Sequence, residues 1–165
     1  EFISTITNTF GMQGEHFIAN LAASVDQAAQ KWGLTEVGPV PNLSYNFVAF
    51  ARRGAEDFVL KMGVPNFEIR SEMAALMLFN GEGACRLLDY DEEKCWILLE
   101  RLNPGMMLAT LEDDEEATRI AAEVMKRMWR PIEDVALPKE HRDDVSGAKS
   151  LVRRDGDASP QSGSA

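Results

Sequence analysis

The sequence has few of the residues on which several protein classes depend. It contains only two cysteines, Cys85 and Cys95, which is too few for a disulfide framework in 165 residues. No apolar run has the length needed to cross a bilayer, and no basic segment precedes an apolar one as in a signal peptide. The two histidines lack the spacing of a structural zinc site. These absences favour a reduced, cytoplasmic domain with no membrane partner.

The charge balance is strongly acidic. Seventeen basic and 27 acidic residues give a net charge of -10. A field of this sign repels phosphate backbones, so nucleic acid is excluded as the expected partner. The acidity fits solubility, and it also fits attraction of small cationic molecules.

Hydrophobic periodicity predicts an alternation of helices and short strands. A helix is expected over Gly14–Trp32 and ends at Gly33, and a second is expected over Phe67–Asn80 with Asn66 as its cap. A third begins at Asp113 with Glu116 in a capping-box position. The predicted strands are Trp32–Val37, Tyr45–Arg52, Asp57–Met62, Ala84–Asp89 and Cys95–Glu100. This order predicts an α+β fold, in which a helix packs on a five-stranded antiparallel sheet and other helices flank it.

The composition of the chain changes after the last predicted helix. Its apolar stripe is Ala117, Ile120, Ala121, Val124 and Met128, and Pro131 ends it. We therefore expect one domain over residues 1–131. Residues 132–165 have few large apolar side chains and are expected to form a polar, disordered tail.

The fourth and fifth strands are expected to form a hairpin that turns near Asp91 and Glu92. Cys85 would then face about Leu98, and Cys95 would face about Leu88. Both cysteines are interpreted as reduced core residues.

Lys61 is the most informative single residue. It lies in the apolar strand Asp57–Met62, and a buried ammonium is costly unless an anion pairs with it. Glu72 shares the sheet-facing stripe of the next helix and can reach it, whereas Glu68 is a competing carboxylate nearer the helix start. Such a lysine–glutamate pair is typical of kinase-like lobes. The alternative is a lysine on an edge strand that extends to water.

Two loops have positions that suit a nucleotide. The segment 38–44 lies where a phosphate-covering loop belongs, with Ser44 as a phosphate contact, although an ordinary proline-stiffened turn explains it equally well. In a kinase-like lobe, residues 96–105 form the hinge that binds the adenine edge. Leu98 and Leu99 would line the adenine pocket, or else belong to the core, and the hinge also contains Glu100 and Leu102.

Several segments together resemble one family. They are Leu43–Val48, Val59–Asn66, Gly83–Asp89, Leu98–Leu102, Asp113–Thr118 and Met128–Pro131. The combination resembles the aminoglycoside/hydroxyurea antibiotic-resistance kinases, which include streptomycin 6-phosphotransferases. The resemblance covers about Thr7 to Pro131.

The resemblance implies a specific fold and chemistry. It implies the N-terminal, ATP-binding lobe of a protein-kinase-like fold, with ATP and Mg²⁺ as co-substrates. It implies phosphorylation of an alcohol group on a small, often cationic acceptor such as an aminoglycoside, which confers antibiotic resistance. Lys61 would hold the α- and β-phosphates, and Glu72 would position Lys61.

One departure from the family leads to two hypotheses. Family members continue into a helical lobe with a His-Gly-Asp loop and a later Mg²⁺-binding Asp, and neither block occurs in this sequence. The triplet His141–Asp143 is rejected as a substitute because no downstream Asn or metal-binding Asp follows. We expect a truncated phosphotransferase with no catalytic or metal-binding residues of its own and with little activity alone. The alternative is a non-catalytic protein-interaction or dimerisation module, in which an exposed cleft floor around Leu98, Leu99, Met106 and Met107 binds a second copy or another protein.

Overall fold

The computed structural model describes residues 1–129, which form the predicted α+β fold. The helices are α1 (Phe2–Trp32), α2 (Phe67–Phe79) and α3 (Asp114–Met128), and the strands are β1 (Thr35–Pro39), β2 (Phe47–Arg53), β3 (Glu56–Met62), β4 (Leu87–Asp91) and β5 (Trp96–Glu100). The predicted tail 132–165, the stop at Pro131 and the triplet His141–Asp143 lie outside the described residues.

The five strands form one antiparallel sheet in the order β1-β2-β3-β5-β4. β3 is the central strand, with β2 on one side and β5 on the other. Lys61 pairs with Val48 of β2 and with Ile97 of β5. The alternative that Lys61 lies on an edge strand is therefore wrong.

The β4–β5 hairpin has a different register from the one predicted. Asp91 lies opposite Trp96, so the turn falls at residues 92–95 rather than near Asp91 and Glu92. The backbone N–H of Lys94 donates to Asp91 Oδ1 at 3.1 Å, which stabilises this turn. A bulge between Leu87 and Asp89 shifts the register again.

This register changes the positions of both cysteines. Cys85 precedes β4 instead of facing Leu98, and Cys95 lies in the turn with φ 54° instead of facing Leu88. Both thiols are free, as predicted. Cys95 is fully buried, Cys85 is half-buried, and burial raises the pKa of each thiol.

Helix α1 reverses direction at Gly11, which the sequence analysis did not predict. Gly11 has φ 54° and ψ -131°, a conformation that essentially requires glycine. The buried Ile6 then contacts Gly14, where a Cβ would overlap the Ile6 carbonyl oxygen. Phe2 lines the same groove as Val25, whereas a straight helix would separate them by about 35 Å. The first ten residues therefore lie back along the rest of α1.

A helix covers each face of the sheet. On one face, α1 packs Ala28 and Trp32 against an apolar cluster from the strands: Phe47, Ala49, Ala51, Phe58, Leu60, Met62, Trp96 and Leu98. On the other face, α2 packs Ile69, Met73 and Leu76 against Cys95, Ile97 and Leu99. The predicted sheet-packed helix is α2, and its predicted cap is confirmed because Asn66 Oδ1 accepts from the Ile69 N–H at 3.0 Å.

Helix α3 is amphipathic and lies at the surface. Asp113 Oδ1 accepts from the N–H groups of Glu115 and Glu116 at 3.0 and 3.1 Å, which confirms the predicted cap. The Glu116 carboxylate pairs with Arg119 at 2.6 Å. The predicted apolar stripe is half-buried, and no residue of α3 is fully buried. Within residues 1–129, no helix is long and apolar enough to cross a membrane.

Candidate functional site

Lys61 and Glu72 come together because a strand and a helix present them to the same space. The side chains of β3 alternate, so Phe58, Leu60 and Met62 are buried against α1 while Lys61 points to the opposite face. α2 covers that opposite face with Ile69, Met73 and Leu76. Glu72 lies on the same side of α2 because it follows Ile69 by three residues and precedes Leu76 by four.

The two side chains form a close ion pair. Lys61 Nζ lies 2.6 Å from Glu72 Oε1 and 2.7 Å from Oε2. The side chains are 19% and 34% exposed, so water reaches both groups. A pair this accessible contributes about 1 kcal/mol or less to stability. The predicted pairing is confirmed, and Glu68 is not the partner.

An open apolar surface adjoins this pair on the β2 side. The row that contains Lys61 includes Val48 and Ile97, and the next row is Phe50, Val59 and Leu99. α2 packs over Ile97 and Leu99, whereas Phe50 remains 40% exposed. The Arg101 guanidinium carbon lies 3.9 Å from the centre of the Phe50 ring. An aromatic surface beside an ammonium group has the chemistry to stack a base and hold a phosphate.

The sequence analysis did not identify Val48, Phe50, Val59 and Arg101 as members of this surface. Val59 was recognisable because it is two residues from Lys61 on the same strand, and such residues share a face. Val48 and Phe50 belong to another strand, and only the β2–β3 register places them beside Lys61. Arg101 follows β5, and no local pattern indicates its contact with Phe50.

The structure separates two residues that were predicted to line one pocket. Leu98 belongs to the core against α1, whereas Leu99 packs under α2 on the same face as Lys61. Successive strand residues point to opposite faces, so the two side chains do not share a pocket. Both are buried, so the prediction that they form an exposed cleft floor is wrong.

The other predicted site residues lie around the sheet margin. Glu100 Oε1 accepts from the Arg86 N–H at 2.7 Å, so this carboxylate joins the end of β5 to the start of β4. Leu102 is exposed beyond β5, and Ser44 is exposed in the loop between β1 and β2. Among the described residues, the hydrogen bonds of Lys61 go to Glu72, and none joins it to Ser44, Glu100 or Leu102.

The described residues do not form a metal site. Across residues 1–129, no three His, Cys, Asp or Glu side chains are grouped so that they could hold a metal ion. The Glu72 carboxylate is already paired with Lys61. These residues therefore do not fit the Mg²⁺ that the family resemblance implies, and we assign no step to a metal held by them.

Sequence comparisons identify relatives of this chain. A streptomycin 6-kinase of Streptomyces glaucescens is 32% identical over 126 residues, which are 76% of this chain and 41% of the relative. A streptomycin 6-kinase of Streptomyces griseus is 34% identical over 119 residues, or 72% of this chain and 39% of the relative. A hydroxyurea phosphotransferase of Kitasatospora aureofaciens is 31% identical over 121 residues, or 72% and 36%. No solved structure matches the chain.

The matches cover most of this chain but only part of each relative. The matched segment spans only about two fifths of each relative's length. A family model for aminoglycoside/hydroxyurea antibiotic resistance kinases matches residues 31–162. The match continues beyond Pro131, so the expectation that the resemblance ends there is wrong. With this match and the lysine–glutamate pair, the chain belongs to the aminoglycoside/hydroxyurea antibiotic resistance kinase family.

Proposed function

We propose that this chain is the nucleotide-binding part of an ATP-dependent phosphotransferase. The transferred group would go from ATP to an alcohol group of a small molecule such as an aminoglycoside, which would give antibiotic resistance. The Lys61–Glu72 pair carries this proposal. An accessible ammonium held by a carboxylate is oriented, and it remains available to an anionic ligand.

The roles of the residues follow from their positions. Lys61 binds the α- and β-phosphates, and Glu72 restricts its side chain so that less conformational entropy is lost on binding. The nucleotide base stacks on the surface formed by Phe50 and Val59. Because the Arg101 guanidinium lies over the Phe50 ring, it must move aside when a base binds, or stack on the opposite side of the base.

Transfer itself needs groups beyond those described. Phosphoryl transfer depends on positioning the acceptor and on stabilising charge, which Mg²⁺ supplies when it is bound. Residues 1–129 offer no metal site. We therefore propose that the chain alone binds ATP weakly and transfers phosphate very slowly.

Thermal unfolding with and without ATP tests the proposal. Millimolar ATP should raise the melting temperature, because a ligand that binds only the folded state stabilises it. Lys61→Met should abolish this rise. Lys31→Met is the matched control, since Lys31 also pairs with a carboxylate, Asp91, at 2.9 Å. Absence of an ATP response in the unmodified chain, or a response retained in Lys61→Met, would contradict the proposal.

A second candidate function is a protein-interaction module. The segment after β5 exposes Leu102, Met106 and Met107, and the last two side chains are 67% and 69% exposed. Exposed apolar residues close together in sequence favour contact with another polypeptide. If the chain is a protein-interaction module, its association with a second copy or with another protein should not change when ATP is added.

A further inference from the structure

An elongated groove lies on the α1 side of the sheet, where Trp96 joins the core, and not on the face that presents Lys61. It has a volume of about 500 Å³ and is bounded by α1, by the loop after β3 and by the start of β5. Its lining extends along α1 from Met12 to Gln27, which is about 22 Å of helix. The volume is in the range of small-molecule sites.

Part of the groove is apolar. Met12, Phe17, Pro65 and Trp96 contribute to its lining. Met12 is 85% exposed at one end, Phe17 is half-buried along the helix, and Trp96 is buried beneath the other end. Apolar and aromatic side chains of this kind bury the body of a small organic ligand, and a flexible methionine adapts to its shape.

The charge of the groove differs from that of the whole chain. The sequence has 27 acidic and 17 basic residues, yet none of the described residues that line the groove is acidic. Lys94 supplies the only permanent charge among them, and His16 is the other basic side chain. The groove therefore complements a ligand of negative charge.

The Lys94 ammonium is held in place without a carboxylate partner. Its Nζ lies 4.4 Å from the centre of the Trp96 ring and donates to Gln27 Oε1 at 3.2 Å. Within residues 1–129, no ion pair includes Lys94, and Asp91 of the same turn pairs with Lys31 instead. An ammonium has three donors, so two remain for a ligand.

We propose that this groove binds an elongated organic carboxylate, whose acidic group contacts Lys94 and whose apolar body lies along α1 towards Met12. A single ammonium group matches the single charge of a carboxylate. The side-chain amides of Gln13 and Asn20 and the hydroxyl of Ser24 also line the groove, and they offer hydrogen bonds to polar atoms of the ligand body. This site does not depend on the proposed phosphotransferase function.

An NMR titration with two matched probes tests this site. The probes are 4-phenylbutanoate and 4-phenylbutanamide, which have nearly the same shape but differ in charge. In the nucleotide-free chain, the carboxylate should shift the indole N–H resonance of Trp96 and bind with a Kd in the millimolar range. The neutral amide should bind at least about threefold more weakly, because it forms no ion pair with Lys94. The indole N–H of Trp129, which is exposed at the end of α3, should not shift.

Two substitutions localise the binding. Lys94→Met removes the ammonium group, and Asn20→Asp adds a carboxylate to the groove at nearly constant size. Each should weaken binding of 4-phenylbutanoate by about twofold to fivefold. Asn8→Asp makes the same change in α1 outside the groove, and Lys126→Met removes an exposed lysine of α3. Both control variants should bind the carboxylate as well as the unmodified chain does.

The outcomes separate this site from the nucleotide site. Carboxylate binding that Lys94→Met and Asn20→Asp weaken, and that the control variants retain, supports the proposal. Absence of a Trp96 response, equal affinity for the two probes, or binding that neither groove variant weakens would overturn it. The titration contains no ATP, so the nucleotide proposal is tested separately.

Discussion

At the scale of single residues, burial and orientation distinguish structural from functional side chains. Leu98 is 1% exposed and contacts the α1 core, whereas Phe50 is 40% exposed beside Lys61. Replacing a buried leucine leaves a cavity, and replacing an exposed ring removes a binding surface. The two residues therefore allow stability and ligand binding to be tested separately.

Leu98→Ala should lower the free energy of unfolding by about 2 to 5 kcal/mol without a specific loss of ATP affinity. Phe50→Ala should weaken ATP binding by about tenfold with a smaller stability loss, because it removes the stacking surface. Denaturant unfolding and ATP titration measure the two effects. If Phe50→Ala binds ATP as well as the unmodified chain does, the base does not stack there.

At the scale of elements, the reversal of α1 depends on a close contact between Ile6 and Gly14. Glycine within a helix normally costs about 1 kcal/mol relative to alanine. At position 14, however, an added Cβ would meet the backbone carbonyl oxygen of Ile6, which cannot move without displacing the first segment.

Gly14→Ala should therefore destabilise the chain by about 1 to 3 kcal/mol, the usual range for an overpacked site. Gly38→Ala is the control, since its added Cβ would have no neighbour within 4 Å. Urea unfolding of both variants provides the measurement. A stabilised Gly14→Ala chain would show that the first segment does not pack as described.

Polar contacts also join α1 to the β4–β5 hairpin. Lys31 Nζ lies 2.9 Å from Asp91 Oδ2, and Trp32 Nε1 donates to Asp89 Oδ2 at 2.9 Å. The Lys31 ammonium holds the pKa of the Asp91 carboxyl below its usual value. The stabilisation that results from a lowered pKa is present above the unfolded-state pKa, about 3.9, and is lost as the pH falls through the folded-state value.

Asp91→Asn should lower the melting temperature at pH 7 by about 2 to 4 °C, which corresponds to about 1 kcal/mol. The difference from the unmodified chain should shrink as the pH falls below about 4 and disappear below the lowered pKa of folded Asp91, where its carboxyl is protonated in both the folded and the unfolded states. Glu93→Gln, in the same turn, should cause little change at either pH. A pH-independent difference for Asp91→Asn would exclude the ion pair as its cause.

At the scale of the whole molecule, the surface is acidic but contains an apolar segment. Leu102, Met106 and Met107 are exposed, and Trp129 is exposed at the end of α3. Exposed apolar side chains that lie near one another favour association between protein molecules, because the contact removes their surface from water.

The chain should therefore self-associate at high micromolar concentration, and Met106→Ser combined with Met107→Ser should weaken association by about tenfold. Sedimentation velocity over a concentration series measures this effect. Met12→Ser is the control, because Met12 is also exposed but lies in α1. A monomer at every concentration would contradict the interaction role.

Local sequence signals determined much of the fold and part of the site. Local patterns of a few residues predict the helix caps Asn66 and Asp113 and the order of strands and helices. These features can therefore be predicted from the sequence without a structure. The Lys61–Glu72 pair was also predictable, since only the short segment 62–71 separates the two residues and the helix periodicity sets which side Glu72 faces.

Only the tertiary structure decided the remaining features. The β4–β5 register depends on where a short turn closes, and a small shift changes which residues face each other. Three other features bring together residues that are not neighbours in the sequence. They are the contact between Arg101 and Phe50, the reversal of α1 at Gly11, and the groove lined by α1 and Trp96. The sequence by itself determined the fold class, the ion pair and the family. Packing between distant segments decided the surfaces around that pair, because long-range contacts leave no periodic signal in the chain.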